Sequence, residues 1–163
     1  MSNLPMQRGQ EWLEEFLILS GLPASVQPTE TTGAQEDESS YWLTIDETKL
    51  NPEQVEILIG QRGVVIDALQ YLTNSILNLS QDRENQAAYT IELDGYRKKR
   101  QAELQELAEE AAQIVRETGE EFELKHLSSA ERRQVHTFLK ECEDLETESQ
   151  GQEPDRRLVV RRR

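Results

Sequence analysis

The segment Gly60-Gln61-Arg62-Gly63 constrains the fold of this chain more than any other. It separates two apolar segments: a short one that begins at Pro52, and a longer one that follows Gly63. Proline suits the first turn of a helix, and glycine adopts backbone conformations that are closed to other residues. The sequence therefore predicts two helices joined by a tight turn.

The flanking segments predict further elements in a defined order. Residues 9–20 have helical periodicity, residues 28–40 form a polar acidic loop, and residues 41–47 and 87–93 alternate as strands do. The short segment at 25–27 is a candidate hairpin partner for the first strand. The order is helix, strand, strand, helix, turn, helix, strand. An isolated G-x-x-G is usually a plain turn, but this order is typical of the type II KH fold, in which such a loop clamps a nucleic-acid backbone.

The helix after Gly63 is expected to bury one apolar stripe. Its members recur at steps of four and three residues: Val65, Leu69, Leu72, Ile76 and Leu79. Beyond the strand at 87–93, the pattern predicts a long helix at 96–118, a short strand at 121–125 and a final strand at 156–162. Ser128 and Glu131 form a capping-box pattern that begins one more helix. The fold class is α+β.

Arg132 and His136 are four residues apart on that last helix, so they lie on one face. A guanidinium holds phosphate, and an imidazole stacks on a base or donates to phosphate. Arg133 lies beside them. We expect this face to be exposed, so that replacing Arg132 and His136 leaves stability nearly unchanged. On spacing alone, a solvated helix face with no function is an equally ordinary interpretation.

The long helix begins with four bases, of which Arg97 and Lys98 come first. Positive charge at a helix N-terminus opposes the helix dipole. Two explanations remain open: Glu92 and Asp94 compensate the charge, or a phosphate binds beside it.

The charge distribution bears on any interaction with nucleic acid. The net charge is −14. Residues 1–96 hold 16 acidic and 4 basic residues, whereas residues 129–163 hold 8 of each. Because basic side chains drive phosphate binding, we expect the later half to supply much of the attraction.

Other classes of function find little support. The single cysteine, Cys142, excludes an intramolecular disulfide. No combination of residues suggests catalysis, a metal or a cofactor, and His136 has no partner for such chemistry. The sequence has no secretory signal and no apolar stretch of spanning length, so we expect a cytoplasmic protein without membrane insertion.

Four stretches together resemble the Jag (EloR) family of bacterial proteins: LIGQRGVVIDALQYLTN (58–74), ELDGYRKKR (92–100), ERRQVHTFL (131–139) and SQGQEPDRRLVVRR (149–162). In that family a KH domain precedes a small domain named for an arginine and a histidine with three residues between them, the R-three-H domain. The resemblance assigns that pair to Arg132 and His136. Many members have lysine where this chain has Gln61, which removes one positive charge from the loop.

The resemblance implies a type II KH domain and a small R-three-H domain of α/β type, joined by the long helix. The predicted division is residues 1–40, whose helix is part of the KH domain, 41–95 for the KH core, and 96–163 for the rest. The predicted function is non-catalytic binding of single-stranded RNA, with a regulatory role in cell elongation and envelope growth and a small single-KH protein as partner. The predicted RNA-binding residues are Gly60, Gln61, Arg62, Gly63, Arg97, Lys98, Arg132, Arg133 and His136. The alternative is a protein–protein adaptor that uses the KH fold to dimerise or self-associate.

Overall fold

The computed structural model describes residues 3–32 and 39–163 of the chain. The chain is α+β and forms two compact units, of which the first ends at Arg97 and the second begins at Lys98. No helix among the described residues is long and apolar enough to cross a membrane.

The first unit has the element order expected from the sequence. Its helices and strands are α1 (Leu4–Leu19), β1 (Val26–Thr32), β2 (Ser39–Ile45), α2 (Pro52–Ile59), α3 (Val64–Asn78) and β3 (Ala88–Leu93). Strand β2 is central in the sheet, antiparallel to β1 and parallel to β3. The side chains of β2 alternate as predicted, since Tyr41, Leu43 and Ile45 are all buried.

The expected loop at 28–40 is wrong at both ends, where the residues belong to strands β1 and β2. Strand β1 runs on to Thr32, and β2 begins at Ser39, with Val26 opposite Ile45 and Thr31 opposite Ser40. Because β1 is an edge strand, Pro28 removes no ladder hydrogen bond that the sheet needs. The middle of the predicted loop, residues 33–38, lies outside the described residues. The predicted pairing of the segment at 25–27 is confirmed.

Helix α3 buries a different face from the predicted one. Of the expected stripe only Leu69 is buried, whereas Leu72 is 43% exposed and Ile76 is 46% exposed. The buried positions are Ile66, Leu69, Thr73 and Leu77. Both stripes have helical spacing, so periodicity alone does not distinguish them.

Three amide side chains spaced four residues apart set the rotation of α3. Asn74 pairs with both the N–H and the carbonyl of Tyr89, at 2.8 and 2.7 Å. Asn78 does the same for Ala87, and Gln70 accepts from the N–H of Ile91. These amides satisfy backbone groups on the free edge of β3, which would otherwise be open to another strand. With this face turned to the edge of β3, the stripe containing Leu72 and Ile76 faces outward.

Helix α4 (Tyr96–Thr118) passes from the first unit into the second. The remaining elements are β4 (Phe122–Leu124), α5 (Ser129–Lys140), β5 (Leu145–Gln150) and β6 (Arg157–Arg162). The sheet order is β4-β6-β5, antiparallel throughout. Its core contains apolar residues of every helix and strand of the unit, among them Leu104, Val115, Val135, Leu145 and Val160. Strand β5 was not predicted, because LETESQ has only one apolar residue.

Candidate nucleic-acid interface

The loop between α2 and α3 requires its glycines. Gly60, Arg62 and Gly63 have φ angles of 73°, 56° and 74°, all in the left-handed half of backbone space. A Cβ on Gly60 would lie 2.5 Å from Cγ2 of Val65. The loop therefore folds back tightly on the first turn of α3, as its two glycines predicted.

Tyr96 closes the loop from the other side. Its hydroxyl donates to the carbonyl of Arg62 at 3.2 Å. A Cβ on Gly63 would lie only 1.8 Å from the hydroxyl oxygen of Tyr96. Gly63 is buried beneath the phenol ring, whereas the side chains of Gln61 and Arg62 are exposed. The arrangement presents two side chains to solvent at the N-terminus of α3, where helix N–H groups favour an anion.

Arg97 does not have the free guanidinium that the sequence suggested. Its nitrogens donate to Asp67 at 2.5 Å, to Gln70 at 3.0 Å and to the carbonyl of Ile91 at 3.1 Å. Glu92 accepts from the N–H of Arg97 at 3.0 Å and so caps the start of α4. Of the two open explanations, compensation by an acid is supported for Arg97, whose charge is paired with Asp67, while Glu92 accepts a backbone N–H at the helix start.

Lys98, by contrast, is exposed and forms no ion pair within 3–32 and 39–163. Of Arg97 and Lys98, the two predicted RNA-binding residues at the start of α4, Lys98 is the one that remains available to a ligand.

Helix α5 begins with the predicted capping box. Ser128 accepts from the N–H of Glu131 at 3.2 Å, and the Glu131 carboxylate accepts from the N–H of Ser128 at 2.9 Å. The same carboxylate binds Arg100 at 2.7 Å. The start of α5, which carries Arg132 and Arg133, is thereby held in place.

The expectation of an exposed Arg132 is wrong. Its side chain is 5% exposed, and its guanidinium donates to the carbonyl of Leu127 at 2.6 Å, to the carbonyl of Arg156 and to Glu153. His136, one turn later, is exposed, and its Nδ1 contacts the hydroxyl of Thr147. The two side chains share a helix face as predicted, but the first turn of that face is covered by the turn at 151–156.

Arg132 and His136 nevertheless line a common open depression, of about 360 Å³. Its walls come from α5, β5 and the start of β6, and they combine hydroxyl, guanidinium and imidazole groups: Ser129, Arg132, Arg133, His136, Thr147, Ser149, Arg156 and Leu158. Arg133 is exposed and forms no ion pair with any residue that the structure describes. Such a set of donors suits a phosphate and a planar polar group beside it.

Arg156 also lines this depression, although it lies outside the motif formed by Arg132 and His136. It follows the cis peptide between Glu153 and Pro154 by two residues, and its Nη1 donates to the carbonyl of Gly151 at 2.8 Å. The only sequence signal was the run of arginines before the last strand. That run does not distinguish a free arginine from a paired one.

Most of the other late arginines are paired. Arg157 binds Glu123 at 2.9 Å, Arg116 binds Asp144 at 2.7 Å, and Arg161 binds Glu146. The hydrogen bond from Arg116 lowers the pKa of Asp144 to about 2. The positive charge available to a ligand is therefore concentrated at fewer positions than the composition implies.

Among the described residues, no group of three or more His, Cys, Asp or Glu side chains is placed to hold a metal ion.

Comparison with known proteins identifies the second unit. Residues 102–162 match the family model of the R-three-H domain. The match includes the depression with Arg133, His136 and Arg156. By fold and site, the second unit is thus a small domain of the R-three-H class, as its motif predicted. Its sheet is antiparallel throughout, so the domain is α+β and not of the expected α/β type.

The chain is also similar to three curated proteins named RNA-binding protein KhpB. It is 32% identical to that of Clostridium symbiosum over 68% of this chain and 49% of the relative. It is 34% identical to that of Lactiplantibacillus plantarum over 72% of this chain and 34% of the relative. It is 30% identical to that of Bacillus subtilis over 72% of this chain and 60% of the relative. The alignments span about a third to three fifths of these relatives. They confirm the resemblance to the Jag (EloR) family, and the chain is a relative of that family's KhpB proteins.

Proposed function

We propose that this chain binds single-stranded RNA and performs no chemistry on it. The observation that carries the proposal is the depression at Arg133, His136 and Arg156, which lies within the R-three-H match. Guanidinium groups bind the strand's phosphates, and the exposed imidazole stacks on an unpaired base. The hydroxyls of Thr147 and Ser149 line the same depression and supply partners for a ribose 2′-hydroxyl, the group that distinguishes RNA from DNA. The name of the relatives, RNA-binding protein KhpB, agrees with this ligand.

The first unit is proposed to be a type II KH domain that extends the RNA-binding surface. The element order, the central β2 with one antiparallel and one parallel neighbour, and the strained loop before α3 all support this assignment. The loop backbone and the α3 N-terminus would hold one phosphate, with Arg62 as the side-chain donor. Gln61 offers an amide rather than a charge at the same point.

The acidic balance of residues 1–96 limits what this KH domain contributes. Because Arg97 is paired with Asp67, the exposed basic side chain at the loop is that of Arg62, which lies within it. We therefore assign most of the electrostatic attraction to the second unit and a short-range backbone contact to the loop. The proposed cellular role, which follows from the family resemblance alone, is post-transcriptional control linked to cell elongation and envelope growth.

The depression is tested with two charge reversals on one helix. Arg133→Glu and Lys140→Glu change the net charge equally, and both residues are exposed on α5, about 10 Å apart along its axis. Only Arg133 lines the depression. We expect Arg133→Glu to weaken binding of an unstructured RNA by at least tenfold in fluorescence anisotropy, and Lys140→Glu to weaken it less than threefold. Equal losses would mean that the protein senses net charge and has no site here.

The loop is tested with Arg62→Asp against Arg83→Asp. The two substitutions are chemically identical and both side chains are exposed, but Arg83 lies beyond the far end of the 15-residue helix α3, which is about 22 Å long. Aspartate tolerates the left-handed backbone at position 62. A loss of affinity with Arg62→Asp alone supports the KH assignment. Unchanged affinity would remove the loop from the RNA-binding surface.

A second candidate function is that of a protein–protein adaptor that binds its partner through α3. The outward stripe comprises Val65 at 39% exposure, Leu72 at 43%, Ile76 at 46% and Leu79 at 73%. A continuous apolar stripe on an exposed helix is unusual for a surface without a partner. The proposed partner is a second copy of this chain or a small single-KH protein.

Sedimentation velocity separates this candidate from simple RNA binding. Leu72→Asp is expected to convert a dimer to a monomer without altering RNA binding at the depression, because Leu72 lies in the first unit. A wild-type chain that is monomeric at micromolar concentration would exclude self-association and leave the single-KH partner to be tested by mixing.

A further inference from the structure

A second depression, of about 280 Å³, lies beside the first within the second unit. It is lined by Lys125, His126, Pro154, Asp155, Arg156 and Arg157. Arg156 lines both depressions. The two cavities are therefore neighbours separated by a single arginine.

The position of Arg156 is determined by contacts on both sides. Its carbonyl accepts from the buried guanidinium of Arg132, and its own Nη1 donates to the carbonyl of Gly151 at 2.8 Å. A guanidinium has five N–H donors in a fixed plane. One is used by Gly151, and no other partner of this guanidinium occurs within residues 3–32 and 39–163, so the others remain for oxygen atoms in either depression.

The second depression has an excess of positive charge. Lys125 and Arg157 share one carboxylate, that of Glu123, at 3.5 and 2.9 Å. The Arg157 contact is the shorter of the two, and the Lys125 side chain is 62% exposed. Among the residues that line the cavity, Asp155 is the single acid against three bases. Of the two cations that share Glu123, the ammonium of Lys125 is thus the more available to a ligand.

We propose that the two depressions bind successive phosphates of one RNA strand, with Arg156 between them and Lys125 at the second phosphate. This inference rests on the proposed function of the first depression and adds a direction to it: the strand runs from His136 across Arg156 towards Lys125. Phosphate contacts position a strand without reading its bases. The second depression therefore contributes affinity and register, and no sequence preference.

Salt titration of the full chain measures the extra contact. Each phosphate neutralised on a single strand contributes about −0.7 to the slope of log affinity against log salt. Lys125→Ala is expected to make the slope less negative by about that amount. Its affinity deficit relative to the wild type then shrinks about 2.6-fold between about 50 and about 200 mM salt. Lys140→Ala removes the same charge from an exposed position outside both depressions and is expected to leave the slope unchanged.

Two further variants distinguish failure of the inference from failure of the proposed function. Lys125→Arg keeps the charge and is expected to retain the wild-type slope, which would support a phosphate contact. If Lys125→Ala behaves like Lys140→Ala while Arg133→Ala weakens binding, the second depression is off the path of the strand and the inference is overturned. If Arg133→Ala also leaves binding unchanged, the proposed function of this unit fails with it.

Discussion

Replacing Arg132 by alanine is expected to lower the free energy of unfolding substantially, in contrast to the expectation for an exposed RNA-binding residue. The Arg132 side chain is 5% exposed, and its guanidinium donates to the carbonyl of Leu127 at 2.6 Å. Removing it leaves that buried carbonyl unsatisfied, at a cost of about 1–3 kcal/mol. The ion pair with Glu153 adds little, because that carboxylate is 61% exposed and screened by water.

The packing of the arginine stem contributes further, because its removal leaves a gap between α5 and the turn at 151–156. Together these losses amount to about 2–4 kcal/mol. His136→Ala, which loses one contact at an exposed site, is expected to cost less than about 0.5 kcal/mol. The two residues of the R-three-H pair therefore differ in their surroundings, since Arg132 holds the turn and His136 is exposed in the depression.

The measurement is urea denaturation followed by circular dichroism at helix wavelengths. Tryptophan fluorescence is unsuitable, because Trp12 and Trp42 both lie in the first unit and do not report on the second. If the free energy of unfolding of Arg132→Ala lies within about 0.5 kcal/mol of the wild-type value, the reasoning is refuted, since the buried hydrogen bonds would then contribute nothing net. In that case a loss of RNA affinity could be attributed directly to Arg132.

Three other changes are expected to have defined effects. Gly63→Ala should destabilise the chain by at least about 2 kcal/mol in the same assay, because the new Cβ meets the Tyr96 hydroxyl and the backbone is left-handed; wild-type stability would mean that the tyrosine moves aside freely. Asn74→Ala should cost about 1–3 kcal/mol and speed amide exchange in β3, since both of its bonds to that strand are lost; unchanged exchange would contradict the amide ladder. Asp144→Asn should lower stability slightly at neutral pH. Because the pKa of Asp144 is depressed to about 2, its stabilising contribution is present above the unfolded value of about 3.9 and is lost as the pH falls towards 2. A deficit that persists at pH 2 would show that the Arg116 pair is not its source.

Features that depend on local sequence were predictable. The turn at Gly60–Gly63 follows from two glycines between apolar segments, and the start of α5 follows from Ser128 and Glu131, since both patterns act within one turn of chain. Strands β2 and β3 were recognised because their alternation reports burial on one side. The motif around His136 located the depression for the same reason, as two residues four apart must share a helix face.

The burial of α3 was decided by contacts distant in sequence. Leu72 and Leu77 belong to two apolar stripes of equal helical periodicity, and the hydrogen bonds from Asn74 to the edge of β3 select which stripe packs inward. A polar residue in an amphipathic pattern is ordinarily assigned to solvent. Here it marks the face that packs along a strand edge.

The availability of each charge was likewise a tertiary property. Arg97 and Arg133 have the same formal charge and both stand in basic runs, yet one is held by Asp67 and Gln70 and the other is free of ion pairs among the described residues. Composition determines how many cations the chain carries. Which of them can reach a phosphate depends on the partners that folding brings within hydrogen-bonding distance. For Arg132 one such partner is the carbonyl of Arg156, 24 residues later in the chain.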